Sequence, residues 1–240
     1  MDLKLTNKVA LVTGTGSQIG YGKTIAVTLA HEGCNIISAD INLEGAIETA
    51  EEIRKLGRRA LVVKVDVRDR GEVDAMIKKS LDEFDRIDIL INNAGVSSRW
   101  KPFLEMSKED WDYDIGVNFY GQMNVAQAVL PHMISQKSGR IINTSGGQGI
   151  PGISLYGASK GAVVQWTKAL AREVAQYGVI VSVYSPGLGA TGLTANDPRE
   201  MEILAKENLL GRLCTPEDVG SLVAFMASEI SSYFASSFSN

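Results

Sequence analysis

The chain has 240 residues, of which 45% are hydrophobic and 22% are charged, and its formal net charge at pH 7 is -4. This length and apolar content predict one α/β domain that covers residues 1–240. The acidic balance argues against a nucleic-acid partner, because a surface that follows phosphates needs clustered Lys and Arg.

Short runs rich in β-branched residues alternate along the chain with longer stretches of helical apolar spacing. The runs predict strands over 9–12, 35–39, 60–65, 87–91, 140–143 and 179–183. The stretches predict helices over 23–31, 43–56, 70–84, 108–136, 156–177 and 198–205. This alternation predicts a Rossmann-type, doubly wound parallel sheet flanked by helices on both faces. In such a sheet, ligands bind beyond the carboxyl ends of the strands.

Glycines cluster directly after the first predicted strand, where the segment 13–22 is TGTGSQIGYG. Glycines at a strand-to-helix turn let the backbone approach a pyrophosphate, whose charge the helix N-terminus favours. A plain turn into a helix uses the same residues, so the motif takes its weight from its setting. The residues expected at the phosphates are Gly14, Ser17, Gln18, Ile19, Gly20 and Gly22.

An acidic residue ends the second predicted strand. Asp40 stands about 20 residues beyond Gly20, which is the spacing expected of a carboxylate that binds the adenosine ribose. A carboxylate repels the 2′-phosphate of NADP, and no Lys or Arg adjoins Asp40. The expected cofactor is therefore NAD, with NADP disfavoured. The alternative role of Asp40 is to cap the following helix.

Cysteine usage and hydropathy bear on the location of the protein. Cys34 and Cys214 are far apart, and no Cys or His stands near them at metal-ligand spacing. Free thiols, no metal site and a cytoplasmic location are expected. No apolar run reaches the roughly 18 residues of a membrane helix, and the first residues lack the apolar core of a signal peptide, so no membrane partner is expected.

Further short motifs follow in order along the chain. They are Asp66-Val67, Asn92-Asn93-Ala94-Gly95, Asn118, Tyr156-Gly157-Ala158-Ser159-Lys160, and Ser185-Pro186-Gly187 before Thr191. With the glycine-rich turn, they resemble the short-chain dehydrogenase/reductase (SDR) family from about Leu5 to about Ser228. Within that family the chain is similar to 3-oxoacyl reductase-like and secondary-alcohol dehydrogenase members.

The resemblance implies an NAD-dependent oxidoreductase that interconverts a secondary alcohol and a ketone, and that assembles as a homodimer or homotetramer. It implies that Asp66 and Val67 flank the adenine. Asn118 would bend its helix and anchor a water linked to the lysine, although a mid-helix Asn can simply bond a neighbouring carbonyl. The remaining residues expected to hold the cofactor are Asn93, Ala94, Gly95, Tyr156, Lys160, Pro186, Gly187, Leu188 and Thr191.

Tyr156 and Lys160 are the expected proton-transfer pair. A spacing of four residues places both side chains on one helix face. An unperturbed tyrosine has a pKa of about 10, so a base near neutral pH needs a cation that stabilises its phenolate. Tyr and Lys at this spacing are also common packing partners without any catalytic role. The other motifs favour the catalytic interpretation.

A third catalytic group would donate a hydrogen bond to the reacting oxygen. In the segment Asn143-Thr144-Ser145-Gly146, the predicted donor is Ser145, with Thr144 as the alternative. Ser154 is disfavoured because it lies too close to Tyr156 along the chain. The resembling family usually has its serine one residue later, where this chain has Gly146, and its loop up to the tyrosine is longer.

Two other departures from the family affect the predictions. The glycine-rich turn is about two residues longer than usual, and the last strand of the family is altered or missing after Ser228. The segment 211–219 is interpreted as structural, with Asp218 at the start of a helix. Substrate selection is expected from residues 96–103, 147–155 and 188–202. The competing hypothesis is a catalytically impaired NAD-binding sensor or scaffold of the same fold.

Overall fold

The computed structural model describes residues 2–97, 101–146, 152–187, 189, 202, 205–206, 208 and 210–233. Six strands in this part of the chain form one parallel sheet in the order β3-β2-β1-β4-β5-β6. The strands are β1 (Val9–Thr13), β2 (Asn35–Asp40), β3 (Ala60–Lys64), β4 (Ile89–Asn92), β5 (Gly139–Thr144) and β6 (Val179–Tyr184). Strand order reverses between β1 and β4, so the crevice for a ligand opens there.

Helices connect the strands and cover the sheet. They are α1 (Tyr21–His31), α2 (Leu43–Lys55), α3 (Arg70–Phe84), α4 (Lys108–Ile115), α5 (Gln122–Gln136), α6 (Ser154–Val174) and α7 (Pro216–Ala227). The predicted fold class is confirmed. The helix predicted over 198–205 falls mostly outside the described residues. Asp218 lies in the first turn of α7, as predicted, and completes a capping box with Thr215.

Alternate residues of each buried strand supply two hydrophobic layers. In β1, Leu11 belongs to the layer beneath α3, α5 and α6, whereas Ala10 and Val12 belong to the layer beneath α1 and α7. Leu11 is fully buried, as are Leu90 and Ile91 of the adjoining β4. Because both faces are covered, the strands carry almost continuous apolar sequence, which is typical of parallel sheets.

The stretch predicted as one helix over 108–136 contains an irregular middle. A π-helical segment, Gly116–Gly121, joins α4 to α5. Such segments widen one turn of a helix and are frequent at functional sites. Asn118 lies inside the segment and is fully buried.

Within the part of the chain that is described, no helix combines the length and the apolar character needed to cross a lipid bilayer.

Candidate active site

The glycine-rich turn packs against the residues that follow β4. Gly14 has a φ of +78°, and a Cβ built on it would lie 2.8 Å from the Cα of Ala94. A Cβ on Gly22, in the first turn of α1, would lie 2.0 Å from the carbonyl oxygen of Gly14. No side chain fits at either position. Gly20 is the N-cap residue of α1, so the amides that begin this helix face the turn.

The extra residues of the turn lie on the start of α2. The amide of Gly16 donates to Oδ2 of Asp40 at 2.7 Å, and Nε2 of Gln18 donates to the carbonyl of Gly45 at 2.9 Å. A Cβ on Gly45 would lie 1.9 Å from the Gly16 carbonyl oxygen. Gln18 therefore anchors the turn to α2, while Ser17 and Ile19 are exposed.

Asp40 is held by two backbone donors at the end of β2. Its Oδ2 accepts from Gly16, and its Oδ1 accepts from the amide of Asn42 at 2.7 Å. The side chain of Asn42 caps α2 by accepting from Gly45. Capping, the alternative role considered for Asp40, is therefore performed by Asn42.

Asp66 and Val67 follow β3 at the same edge of the sheet. The carboxylate of Asp66 accepts from Nε of Arg68 at 3.0 Å, and this hydrogen bond lowers the pKa of Asp66. The side chain of Val67 is buried, and its carbonyl accepts from Nδ2 of Asn124 at 3.0 Å.

The segment after β4 links the glycine-rich turn to the proton-transfer residues. Nδ2 of Asn93 donates to the carbonyl of Thr13 at 3.0 Å, and the amide of Ala94 donates to Oγ1 of Thr13 at 3.1 Å. Gly95 lies between two functional groups, since a Cβ there would be 3.2 Å from Oδ1 of Asn118 and 3.3 Å from Nζ of Lys160.

Asn118 fixes the bend between α4 and α5 to that segment. Its Oδ1 accepts from the amide of Val96 at 2.9 Å, and its Nδ2 donates to the Val96 carbonyl at 2.8 Å. Nδ2 also donates to Oγ of Ser159, one residue before Lys160, at 3.2 Å. The Asn118 side chain therefore ties the helix bend to α6.

Tyr156 and Lys160 lie in the first two turns of α6, on the face towards the carboxyl ends of the strands. Nζ of Lys160 donates to the carbonyl of Thr144 at 3.1 Å and lies 5.7 Å from the centroid of the Tyr156 ring. Lys160 is only 2% exposed, and this burial lowers its pKa to about 8. The side chains share one helix face, as the spacing indicates.

The surroundings of the Tyr156 phenol favour its protonated form. Burial raises its pKa, and the nearby carboxylate of Asp114 raises it further. The sequence suggests that a cation lowers this pKa, but in this structure burial dominates. Tyr156 is thus set to donate a proton near neutral pH.

The hydroxyl groups of Thr144, at the end of β5, and of the following Ser145 donate to groups other than the phenol. Oγ of Ser145 donates to the carbonyl of Lys160 at 2.9 Å, and Oγ1 of Thr144 donates to the hydroxyl of Tyr184 at 3.0 Å. A hydroxyl has one proton to donate, so Ser145 cannot donate to a substrate oxygen in this arrangement. The residue beside the phenol is Gly146, where a Cβ would lie 3.2 Å from the Tyr156 hydroxyl oxygen. The donor role of Ser145 stays a prediction that this geometry does not support.

Sequence reasoning missed a buried polar group between the helix bend and β5. Nε2 of Gln122 donates at 3.0 Å both to the carbonyl of Asn118 and to the carbonyl of Thr144, which also accepts from Lys160. The signal available in sequence was a Gln one helical turn after Asn118. Nothing in sequence alone indicates its second partner.

Pro186 and Gly187 follow β6 at the same edge of the sheet, as predicted. Leu188 and Thr191 lie outside the described residues, as do most of residues 188–202 and all of 147–151. The role expected of these segments in substrate selection remains a prediction.

Comparison with known proteins identifies the family. The family model described as short chain dehydrogenase matches residues 8–202. The chain belongs to the short-chain dehydrogenases. Oxidoreductase UcpA from Salmonella typhimurium is 42% identical to it, over 96% of this chain and 91% of the relative. The 3-oxoacyl-[acyl-carrier-protein] reductase FabG from Thermotoga maritima is 37% identical, over 96% and 94% of the two chains.

Solved short-chain dehydrogenases share the architecture. A short-chain type dehydrogenase/reductase from Mycobacterium marinum superimposes with a TM-score of 0.91 and 32% identity, over 97% of this chain and 92% of that one. The chain is accordingly an oxidoreductase of a family that uses NAD or NADP.

The residues present fit the dinucleotide that a short-chain dehydrogenase uses. Gly14 and Gly22 form a turn with no room for a Cβ, which is the close-packed strand-to-helix connection that a pyrophosphate requires. A carboxylate stands at the end of β2, and an ammonium stands beside Gly95. These groups lie at one edge of the sheet.

Proposed function

We propose that this protein is an NAD-dependent oxidoreductase that interconverts a secondary alcohol and a ketone, with Tyr156 as the general acid and base. One observation carries the proposal. Tyr156 and the buried Lys160 share a face of α6 at the carboxyl edge of the sheet, where Asn118 ties α6 to the segment after β4. This edge is where a parallel sheet binds its ligand.

The proton moves between Tyr156 and the substrate oxygen. In ketone reduction, the phenol donates its proton as the carbonyl oxygen gains negative charge, and in alcohol oxidation the phenolate takes the hydroxyl proton back. When bound, NADH would supply the hydride for the carbonyl carbon, and NAD would accept it in the reverse direction. The ammonium of Lys160 stabilises the phenolate that is left after proton donation.

Asp40 supports NAD as the preferred cofactor over NADP. Its carboxylate stands at the end of β2, where the adenosine ribose is expected, and a 2′-phosphate there would meet a negative charge. The Gly16 and Asn42 amides hold Asp40 in place. Each carboxylate oxygen keeps capacity to accept a further hydrogen bond from a ribose hydroxyl.

We also propose that Ser17, Gln18 and Ile19 line the phosphates, that Asp66 and Val67 flank the adenine, and that Pro186 and Gly187 adjoin the nicotinamide. The substrate proposed is a small-molecule alcohol or ketone. The assembly proposed is a homodimer or homotetramer in the cytoplasm, and light scattering will measure its mass.

The test is NADH oxidation across a panel of ketones, with the wild type, Tyr156→Phe and the matched control Tyr177→Phe. Tyr177 is exposed in the 3₁₀ turn that follows α6. We expect Tyr156→Phe to lose about 100-fold or more in kcat, since general acid catalysis contributes that much, and Tyr177→Phe to retain activity. Equal rates for the wild type and Tyr156→Phe would sink the proposal.

A second candidate function is an NAD-binding sensor or scaffold without turnover. It is favoured by one observation, namely that the Ser145 hydroxyl is committed to Lys160 and the residue beside the phenol is a glycine. This candidate predicts NADH binding in a fluorescence titration and no turnover of any ketone. One productive ketone excludes it.

A further inference from the structure

The position closest to the Tyr156 hydroxyl on the loop after β5 carries no side chain. It is occupied by Gly146, whose φ is +146° and whose virtual Cβ would lie 3.2 Å from the phenol oxygen. A side chain with a hydroxyl at this position would reach the same substrate oxygen that Tyr156 protonates. In this chain, residue 146 has no side chain that could donate a hydrogen bond to this oxygen.

The hydroxyls of the two residues that precede Gly146 already donate to other groups. Ser145 is 4% exposed, and its Oγ donates at 2.9 Å to the Lys160 carbonyl, which lies on the helix side of the site. Thr144 is 6% exposed, and its Oγ1 donates at 3.0 Å to Tyr184. Turning either hydroxyl towards a substrate would break its present hydrogen bond, to the Lys160 carbonyl or to the Tyr184 hydroxyl.

We infer that Gly146 makes this enzyme selective for electron-poor ketones, in which a second carbonyl group adjoins the reacting one. The inference rests on the proposed function. The substrate class of this site is then the class of ketone whose reduction depends least on hydrogen bonds from the protein to the reacting oxygen.

The chemistry behind this selectivity is the basicity of the oxygen in the transition state. Removing one donor from an oxyanion site lowers kcat by about 100- to 1000-fold for an ordinary substrate. An adjacent carbonyl withdraws electrons, so less negative charge builds up on the reacting oxygen, and the missing hydrogen bond matters less. A ketone without an adjacent carbonyl shows the full loss in kcat.

Diacetyl and butanone are suitable probes, because they have similar size and differ in the second carbonyl. The wild type is assayed with NADH on both, beside Gly146→Ser and Gly146→Ala. The two variants share any strain from a Cβ at a φ of +146° and differ only in the hydroxyl. The thermal unfolding midpoint of each variant is recorded with the rates.

We expect the wild type to prefer diacetyl over butanone by about 100-fold or more in kcat/KM. Gly146→Ser should raise kcat/KM for butanone by about 10-fold or more relative to Gly146→Ala. For diacetyl, kcat/KM should differ by less than about 3-fold between these two variants. The ratio of kcat/KM for diacetyl to kcat/KM for butanone therefore falls in the serine variant and not in the alanine variant.

A wild type that reduces the two ketones within about 10-fold of one another overturns the inference, and so do serine and alanine variants with the same preference. A wild-type ratio within about 10-fold overturns the inference even where both variants fail to fold. Loss of the proposed function has a different signature: neither ketone is reduced, and Tyr156→Phe changes nothing.

Discussion

Two opposite charges act on the phenol of Tyr156. The Lys160 ammonium lies 5.7 Å from the ring centroid, and the buried Asp114 carboxylate raises the pKa of the phenol in addition to the effect of burial. Lys160 donates to a backbone carbonyl, so its charge is not applied directly to the phenol oxygen. Burial and the Asp114 carboxylate together favour the protonated phenol.

Replacing Asp114 should shift the pH dependence of the reaction. Asp114→Asn removes a negative charge that opposes the phenolate, so the pKa of Tyr156 falls. Alcohol oxidation needs the phenolate, and its rate rises as pH passes the pKa of Tyr156. We therefore expect the midpoint of the kcat/KM profile for oxidation with NAD to move to lower pH. Asp112→Asn, on the exposed side of α4, is the control; an unmoved or higher midpoint in Asp114→Asn contradicts the assigned cause.

Gln122 should matter for stability because it satisfies two buried carbonyls. Gln122→Met keeps the length of the side chain and removes the donor to Asn118 and Thr144. We expect a loss of about 1–3 kcal/mol in the free energy of unfolding, measured by urea denaturation. Gln127→Met, at an exposed position of α5, should change it by less than about 0.5 kcal/mol. Similar values for the two variants would show that the buried hydrogen bonds contribute nothing.

The sequence predicts some site residues better than others, for a physical reason. The Tyr156 and Lys160 pair depends only on helical spacing within α6, which is local. The direction of the Ser145 hydroxyl depends on which acceptor the fold brings near, and that acceptor is a carbonyl on α6. The same holds for Gln122, whose Thr144 partner lies on β5, far along the chain.

At the scale of elements, the lengthened glycine-rich turn is supported by α2. Gly16 lies between Asp40 and Gly45, and Oγ1 of Thr49 donates to the carbonyl of Thr15 at 2.8 Å. The extra residues are therefore held in place. The sequence indicates that the turn is longer than usual. It does not indicate that α2 supports the turn, because the spacing of residues along the chain does not predict which elements are in contact.

A methyl group on α2 should disturb cofactor binding through this contact. In Gly45→Ala, the Cβ would lie 1.9 Å from the Gly16 carbonyl oxygen, so the turn must move, and Asp40 loses its Gly16 donor. We expect KM for NADH to rise about 30-fold, since two hydrogen bonds worth about 1 kcal/mol each are disturbed. Steady-state kinetics over a range of NADH concentrations will measure it.

Gly161→Ala is the matched control, because it is also a helical glycine and its Cβ would meet nothing within 4 Å. It should leave KM unchanged and raise stability by about 1 kcal/mol, since alanine favours the helix. An unaltered KM in Gly45→Ala would show that the turn does not depend on α2.

At the scale of the whole molecule, the alternation of strands and helices made the fold predictable. The boundaries of each predicted strand agree with those of an observed strand to within two residues. This agreement follows because buried parallel strands have continuous apolar sequence. The apolar spacing did not predict the π-helical segment at Gly116–Gly121, although the family resemblance implied a bend at Asn118, whose side chain bonds to Val96. Tertiary contacts of this kind leave no periodic signal.

The packing of the two cysteines provides a test of the core. Cys34 is fully buried beside β2, and burial raises the pKa of its thiol to about 12, whereas Cys214 is half-buried and near the surface. The thiolate is the reactive form. We expect a thiol reagent at pH 8 to label Cys214 in the native protein and both cysteines after denaturation. Rapid labelling of Cys34 in the native protein would contradict the packing of this layer.

The central claim is that Tyr156 transfers the proton in a ketone reduction that uses NADH. The most direct test measures kcat and the NADH dissociation constant in the wild type and in Tyr156→Phe. The assay uses a ketone that the wild type reduces. We expect kcat to fall by about 100-fold or more in Tyr156→Phe, while the NADH dissociation constant stays within about 3-fold of the wild-type value. Undiminished kcat in Tyr156→Phe, with NADH still bound, would contradict it.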